Sequence, residues 1–251
     1  MLNTITFGQP TDKTPLLIAH GLYGSARNWG VIAKRLSDER QVVAVDMRNH
    51  GESEWFQTHS YVDLADDLAE MIEHHSGQMD VLGHSMGGKA AMILSLLQPD
   101  LVDHLVVADI APTAYNHSQT HLAEALKNVD LSRVERRADA GEQLMQIEDP
   151  MVRSFLLQSL DLKEKKWRLN LQVLAAEMDK IVGFPDVTQN FAGPTLFLTG
   201  QESSYVTNDF RPHIKSLFPN AKFAKIPGAG HWLHAEKPRE FEAAVRAFLN
   251  M

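Results

Sequence analysis

The stretch that decides the fold reads Met79-Asp80-Val81-Leu82-Gly83-His84-Ser85-Met86-Gly87-Gly88-Lys89-Ala90-Ala91-Met92-Ile93-Leu94-Ser95-Leu96-Leu97. A short apolar run enters Gly-x-Ser-x-Gly, and a run of helix-forming residues leaves it, so the pattern predicts strand, tight turn and helix. Such a turn holds Ser85 in strained backbone geometry and lifts its hydroxyl clear of the sheet edge. Gly83 and Gly87 stand two residues to either side, where a Cβ would obstruct the approach of strand to helix. The helix that follows aims its N-terminus at Ser85 and favours negative charge developing there. Ser85 is therefore the candidate nucleophile.

Outward from this turn the chain alternates apolar runs with helical periodicity. Residues 2–7 read as an edge strand, and Leu16-Leu17-Ile18-Ala19 and Gln41-Val42-Val43-Ala44-Val45 as strands covered on both faces. His104-Leu105-Val106-Val107-Ala108, Leu196-Phe197-Leu198 and the run from Lys222 to Ile226 continue the series. Between them, residues 26–36, 61–74, 209–218 and 239–249 carry helical spacing, the last opened by Pro238. Strands alternating with helices predict a mostly parallel central sheet with helices on both faces. The rhythm breaks over residues 113–190, where helical segments, read over 121–126, 133–147, 151–160 and 169–178, follow one another without a strand-like run. The expected organisation is a core built from residues 1–112 and 191–251, with residues 113–190 inserted as a small helical cap over the sheet's carboxyl edge.

Composition narrows the function. The 251 residues carry a net charge of −8 and no cysteine. The acidic balance argues against nucleic acid as the main partner, and the missing thiols exclude a disulfide framework and a cysteine nucleophile. The first residues lack the basic start and apolar core of a secretory signal, and no stretch approaches a membrane span. A cytoplasmic protein is the expectation, as a monomer or homodimer. The basic run Lys163-Glu164-Lys165-Lys166-Trp167-Arg168 reads as solvated surface.

A serine hydroxyl needs a base to remove its proton, and the base needs an orienting carboxylate. Of the twelve histidines, His231 is the candidate base, because its loop Gly228-Ala229-Gly230 follows the last strand and returns to the edge that carries Ser85. His84 is read as structural, and His234 as either facing the pocket or packing. His231 and His234 have a metal-like spacing, but no His-Glu-x-x-His pattern accompanies them, so no metal and no cofactor are expected. The oxyanion donors are expected to be the Met86 amide, just after the nucleophile, and the Leu22 amide in the loop His20-Gly21-Leu22-Tyr23-Gly24. Tyr23, Phe155, Trp167, Tyr205 and Trp232 are candidate pocket walls, with Leu156 and Leu171 from the cap. The stretch from Asp46 to Ser53 reads as structural.

These segments carry a resemblance over essentially the whole chain. His20-Gly21-Leu22-Tyr23-Gly24-Ser25, Asp46-Met47-Arg48-Asn49-His50-Gly51-Glu52-Ser53, Gly83-His84-Ser85-Met86-Gly87-Gly88 and Gly228-Ala229-Gly230-His231-Trp232-Leu233-His234 stand where the α/β-hydrolase family has its signatures. Within that family, the wording of Arg48-Asn49-His50-Gly51, Val107-Ala108-Asp109-Ile110-Ala111-Pro112 and Ser203-Ser204-Tyr205-Val206 resembles the YbfF-like bacterial esterases and the ABHD11-like proteins. The resemblance implies an α/β-hydrolase fold. It also implies carboxylesterase chemistry on a small-molecule ester, of short to medium acyl length, through an acyl-enzyme. A CoA or carrier-protein thioester and a non-catalytic binding role are the alternatives.

The chain departs from the family at the acid. The usual aspartate follows the penultimate strand, where this sequence has Gly200-Gln201-Glu202-Ser203, and the matching position is Ser203. Two carboxylates can replace it. Asp109 ends the strand that follows the helix after Ser85, on the same edge, although an aspartate there also suits a turn cap. Glu202 lies one residue from the usual place. The YbfF-like resemblance implies Asp109 as the acid, with Ser203 as an auxiliary hydrogen-bonding group beside it or His231.

Overall fold

The computed structural model describes residues 1–75, 77–116 and 118–251. In chain order the first half runs β1 (Thr4–Phe7), β2 (Leu16–Ala19), α1 (Gly30–Leu36), β3 (Val42–Val45), α2 (Tyr61–His75), β4 (Met79–His84), α3 (Met86–Leu97) and β5 (Val102–Ala108). Next come α4 (Thr120–Lys127), α5 (Arg137–Glu142), α6 (Pro150–Leu157), β6 (Leu160–Asp161), β7 (Lys166–Trp167), α7 (Leu171–Ala176) and α8 (Met178–Val182). The chain then closes with β8 (Thr195–Gly200), α9 (Arg211–Leu217), β9 (Ala221–Ile226), α10 (Leu233–Glu236) and α11 (Pro238–Leu249).

Seven strands form one sheet in the order β1-β3-β2-β4-β5-β8-β9. Only β1 runs antiparallel, on the edge against β3, and every other pairing is parallel. The four apolar residues of β2 and of β3 are all buried, as both faces of a parallel sheet require. Alternate residues serve opposite faces. Leu17, Ala19 and Val81 pack towards α2 and α3, while Leu16, Ile18 and Leu82 pack towards α1 and α11 around Trp29, Ile32 and Phe241.

The strand order places the site. From β2 the chain steps outward to β3, then returns across β2 to β4, so the order reverses between neighbouring β2 and β4. The carboxyl ends of strands at such a reversal flank an open crevice. The loop after β2 and the turn after β4 therefore face each other, with β5 and β8 adjacent in turn.

Residues 113–190 differ from the sequence expectation in two ways. The helix expected over residues 133–147 contracts to α5, Arg137–Glu142. A two-stranded ribbon also occurs, pairing Leu160 with Trp167 and Asp161 with Lys166. Strands of two residues are too short to leave a periodic signal. Asp161 closes the ribbon's turn, accepting from the Lys163 and Glu164 amides at 3.0 and 3.1 Å. Asp149 caps α6 at the Met151 amide, with Pro150 in its first turn. Among the described residues, no helix is long and apolar enough to cross a membrane.

Candidate active site

Ser85 joins β4 to α3 with φ 52° and ψ −117°, a conformation that non-glycine residues rarely adopt. Close packing enforces it. A Cβ on Gly83 would stand 2.2 Å from the Gly87 carbonyl oxygen, and one on Gly87 would stand 2.4 Å from that of Ala19. Only glycine lets α3 start this near to β4 and β2. The Ser85 amide donates to the Ala108 carbonyl at 3.1 Å, which fastens the turn to the end of β5.

The loop after β2 is held from behind by two buried histidines. The Tyr23 amide donates to His50 Nε2 at 3.1 Å, and the Met47 amide to His20 Nε2 at 2.9 Å. The other ring nitrogens, His50 Nδ1 and His20 Nδ1, donate to the Arg48 and Gly21 carbonyls. Burial lowers the pKa of both rings and keeps them neutral, His50 being pushed further down by its neighbours His20 and His59. Asp46 anchors the other end, accepting from the Asn3 side chain and from the Ala26 and Glu52 amides. The stretch from Asp46 to Ser53 is thus a buttress for the Leu22 loop. Among the described residues, neither the Leu22 nor the Met86 amide donates to a protein acceptor. Both stand at the cavity beside Ser85.

Asp109 ends β5 with φ 52° and is fully buried. Its Oδ2 accepts from His231 Nδ1 at 2.7 Å and from Ser203 Oγ, and its Oδ1 accepts from the Gly200 amide at 3.1 Å. Ser203 thus contacts the carboxylate and not the imidazole. Glu202 is exposed and reaches neither, so the alternative acid is not brought to His231. A one-residue offset in the turn after β8 sends its side chain to solvent, while its amide ties the turn to the Ala229 carbonyl.

His231 is gripped on several sides. Tyr205 stacks on its ring at 4.1 Å, and His84 Nε2 donates to its carbonyl at 2.9 Å. Its loop is fastened rather than flexible: the Glu236 carboxylate accepts from the Gly230 and Trp232 amides at 2.8 and 3.2 Å. His84 is buried and neutral, its pKa held well below the usual value by burial and by the neighbouring His231. His234 packs flat on Trp29 at 4.2 Å, and burial lowers its pKa to about 3. The two histidines of the metal-like spacing therefore face different partners. A second metal-like group, Asp80, Asp103 and His104, lies at the opposite ends of β4 and β5, where the buried Arg40 guanidinium already pairs with Asp80.

A cavity of about 280 Å³ opens over Ser85 and His231. Tyr23, Phe155, Leu156, Tyr205 and Trp232 line it, with Leu22 and Met86 at its base. Trp167 does not. As the inward residue of β7 it is buried, and its indole nitrogen donates to the Leu126 carbonyl in α4 at 2.9 Å. Leu171 packs in the same cluster and likewise leaves the wall. Wall residues that escaped the sequence reading include Tyr61, Tyr115 and the buried Lys89. For Lys89 a signal existed, a single cation within the otherwise apolar run that follows Ser85.

Comparison with known proteins places the fold in a family. A family model described as alpha/beta hydrolase fold matches residues 14–238. The chain is 40% identical over 250 residues to the sn-1-specific diacylglycerol lipase ABHD11 of Danio rerio, covering 95% of this chain and 79% of that protein. It is 38% identical over 245 residues to Esterase YbfF of Escherichia coli (strain K12), covering 95% and 94% respectively. Among solved structures, a marine microorganism esterase superposes with a TM-score of 0.92 at 39% identity, over 98% of both chains. Sequence, strand order and the turn at Ser85 agree, and the chain belongs to the alpha/beta hydrolase fold family.

Proposed function

We propose that the protein is a serine esterase that cleaves carboxylic esters through an acyl-enzyme. The observation that carries this reading is the Asp109 carboxylate, 2.7 Å from His231 Nδ1 at the strand edge that presents Ser85. With Nδ1 held as a donor, Nε2 is the ring nitrogen left to take the Ser85 proton. The Ser85 oxygen then adds to the ester carbonyl, and the Leu22 and Met86 amides receive the oxyanion. The imidazolium, stabilised by Asp109, returns its proton to the departing alkoxide. Water, deprotonated by His231, attacks the acyl carbonyl and releases the acid, restoring Ser85. Ser203 keeps the carboxylate aimed. The relatives named as lipase and esterase support an ester substrate, and the apolar cavity supports an acyl group of short to medium length.

The test is reaction with a fluorophosphonate probe followed by peptide mapping. The expected result is a single adduct on Ser85 in the native protein and none in Ser85→Ala. A native protein that stays unlabelled would refute the enzyme reading. A series of p-nitrophenyl esters of rising chain length, run beside acyl-CoAs, separates ester from thioester preference.

A further inference from the structure

Lys89 lies one helical turn after Ser85, and its amide donates to the Ser85 carbonyl at 3.0 Å. Its side chain is 2% exposed and lines the cavity. The ammonium donates to the carbonyls of Val182, at 2.9 Å, and Gly183, at the end of α8. It also lies 4.9 Å from the Tyr115 ring centre and 5.7 Å from that of Tyr61. Among the described residues no carboxylate pairs with it. An ammonium has three donors; two are on carbonyls, and the charge is left without a counter-ion.

We propose that Lys89 anchors the far end of the acyl group, so that the cavity prefers acyl chains ending in a carboxylate over alkyl chains of equal length. The argument is one of complementary charge. The Val182 and Gly183 carbonyls hold the ammonium but do not neutralise it, and an alkyl terminus pressed against a buried cation adds no counter-charge. A carboxylate supplies the missing charge in a site shielded from water, where a charge-assisted hydrogen bond is strong. Ser85 and Lys89 line the same cavity, their Cα atoms about 6 Å apart along the helix axis. A five-carbon dicarboxylic acyl group serves as the probe, against a five-carbon alkyl acyl group. The selection is tied to protonation: burial brings the Lys89 pKa down to about 7. Around it, α2 presents Tyr61 and the segment after β5 presents Tyr115, both neutral phenols. The end of α8 offers only carbonyls, its Asp179 and Lys180 being exposed.

This anchor deepens the esterase reading and rests on it. The experiment compares kcat/KM for p-nitrophenyl hemiglutarate with that for p-nitrophenyl valerate, in the native protein, Lys89→Met and Lys89→Gln. The ratio cancels every pH effect on the catalytic steps that the two esters share. The expected native ratio favours the hemiglutarate, falls as pH rises through about 7, and drops roughly tenfold or more in both variants. Equal losses on the two esters would make Lys89 a clasp for α8 only and overturn the proposal. If neither ester is hydrolysed, the esterase reading fails, and calorimetry decides the anchor separately. Monomethyl glutarate is titrated into Ser85→Ala and into Ser85→Ala/Lys89→Met. Binding lost only in the double variant supports the anchor, and equal binding refutes it.

Discussion

Replacing Asp109 by asparagine separates what the carboxylate does for stability from what it does for catalysis. The aspartate accepts three hydrogen bonds, from His231 Nδ1, Ser203 Oγ and the Gly200 amide. An asparagine can keep the Gly200 bond only by turning its oxygen that way and its NH2 towards His231 and Ser203. Each remaining contact then survives with its direction reversed. The amide donates to Nδ1 and to the serine oxygen, the half-buried Ser203 hydroxyl turns its proton away from the former carboxylate, and the fold keeps most of its stability. The imidazole proton is thereby forced onto Nε2, facing Ser85, and the base becomes a donor where an acceptor is required. The imidazolium formed in the transition state also loses its counter-charge. A loss of roughly 10³- to 10⁴-fold in kcat follows, about 4–5.5 kcal/mol of barrier. The assay is kcat for p-nitrophenyl butyrate, with thermal melting as a check on the fold. Glu202→Gln serves as the control, since that side chain is exposed, and its kcat is expected within about twofold of native. A loss below about tenfold in D109N, or an equal loss in E202Q, would refute the assignment of the acid.

Ser203→Ala removes one donor from the Asp109 carboxylate and is expected to lower kcat about three- to tenfold with little change in KM, read from steady-state kinetics. Gly87→Ala drives a Cβ to 2.4 Å from the Ala19 carbonyl oxygen; a loss above about 2 kcal/mol is expected, seen as a melting point lowered by about 5 °C or more. His20, His50, His59, His84 and His234 all have pKa values lowered by burial. Their folded rings resist a proton that the unfolded chain accepts below about pH 6.5. Stability is therefore intact above that pH and falls as pH drops from about 6.5 towards the folded values, by up to about 1.4 kcal/mol per unit for each ring. Urea midpoints at pH 7.5 and 5.5 check this, and equal midpoints would contradict it.

The fold was legible because each core strand is an uninterrupted apolar run and each face-covering helix keeps its spacing. Leu16–Ala19 and Val42–Val45 are buried along their whole length, and such runs announce a parallel sheet. Between β5 and β8 that logic fails. A ribbon of two residues per strand is made by pairing and by the Asp161 turn, neither of which leaves a period. Trp167 shows the consequence. In a sequence it is an aromatic beside a basic run, and only the ribbon's alternation reveals that it points inward to Leu126. Wall residues on the cap were accordingly the least legible part of the site.

The chemistry and the selectivity rest on different kinds of support, which explains why one was readable and the other was not. Ser85, Asp109, Ser203 and His231 each follow the end of a strand, and strand ends can be placed from sequence once the strand order is inferred. Their second layer is equally rigid: neutral His20 and His50 hold the Leu22 loop, and Glu236 holds the His231 loop. Lys89 belongs to the same rigid scaffold, yet its surroundings are set by the segment between β5 and β8, namely the carbonyls of Val182 and Gly183 and the Tyr115 ring. A lysine in an apolar helix signals that something must receive its charge, but not what. That partner lies about ninety residues away along the chain, so the meaning of the residue emerges only once α8 is packed against α3. Changes in the segment that ends α8 should therefore retune which acyl end is accepted, while the strand-end machinery at Ser85 stays in register.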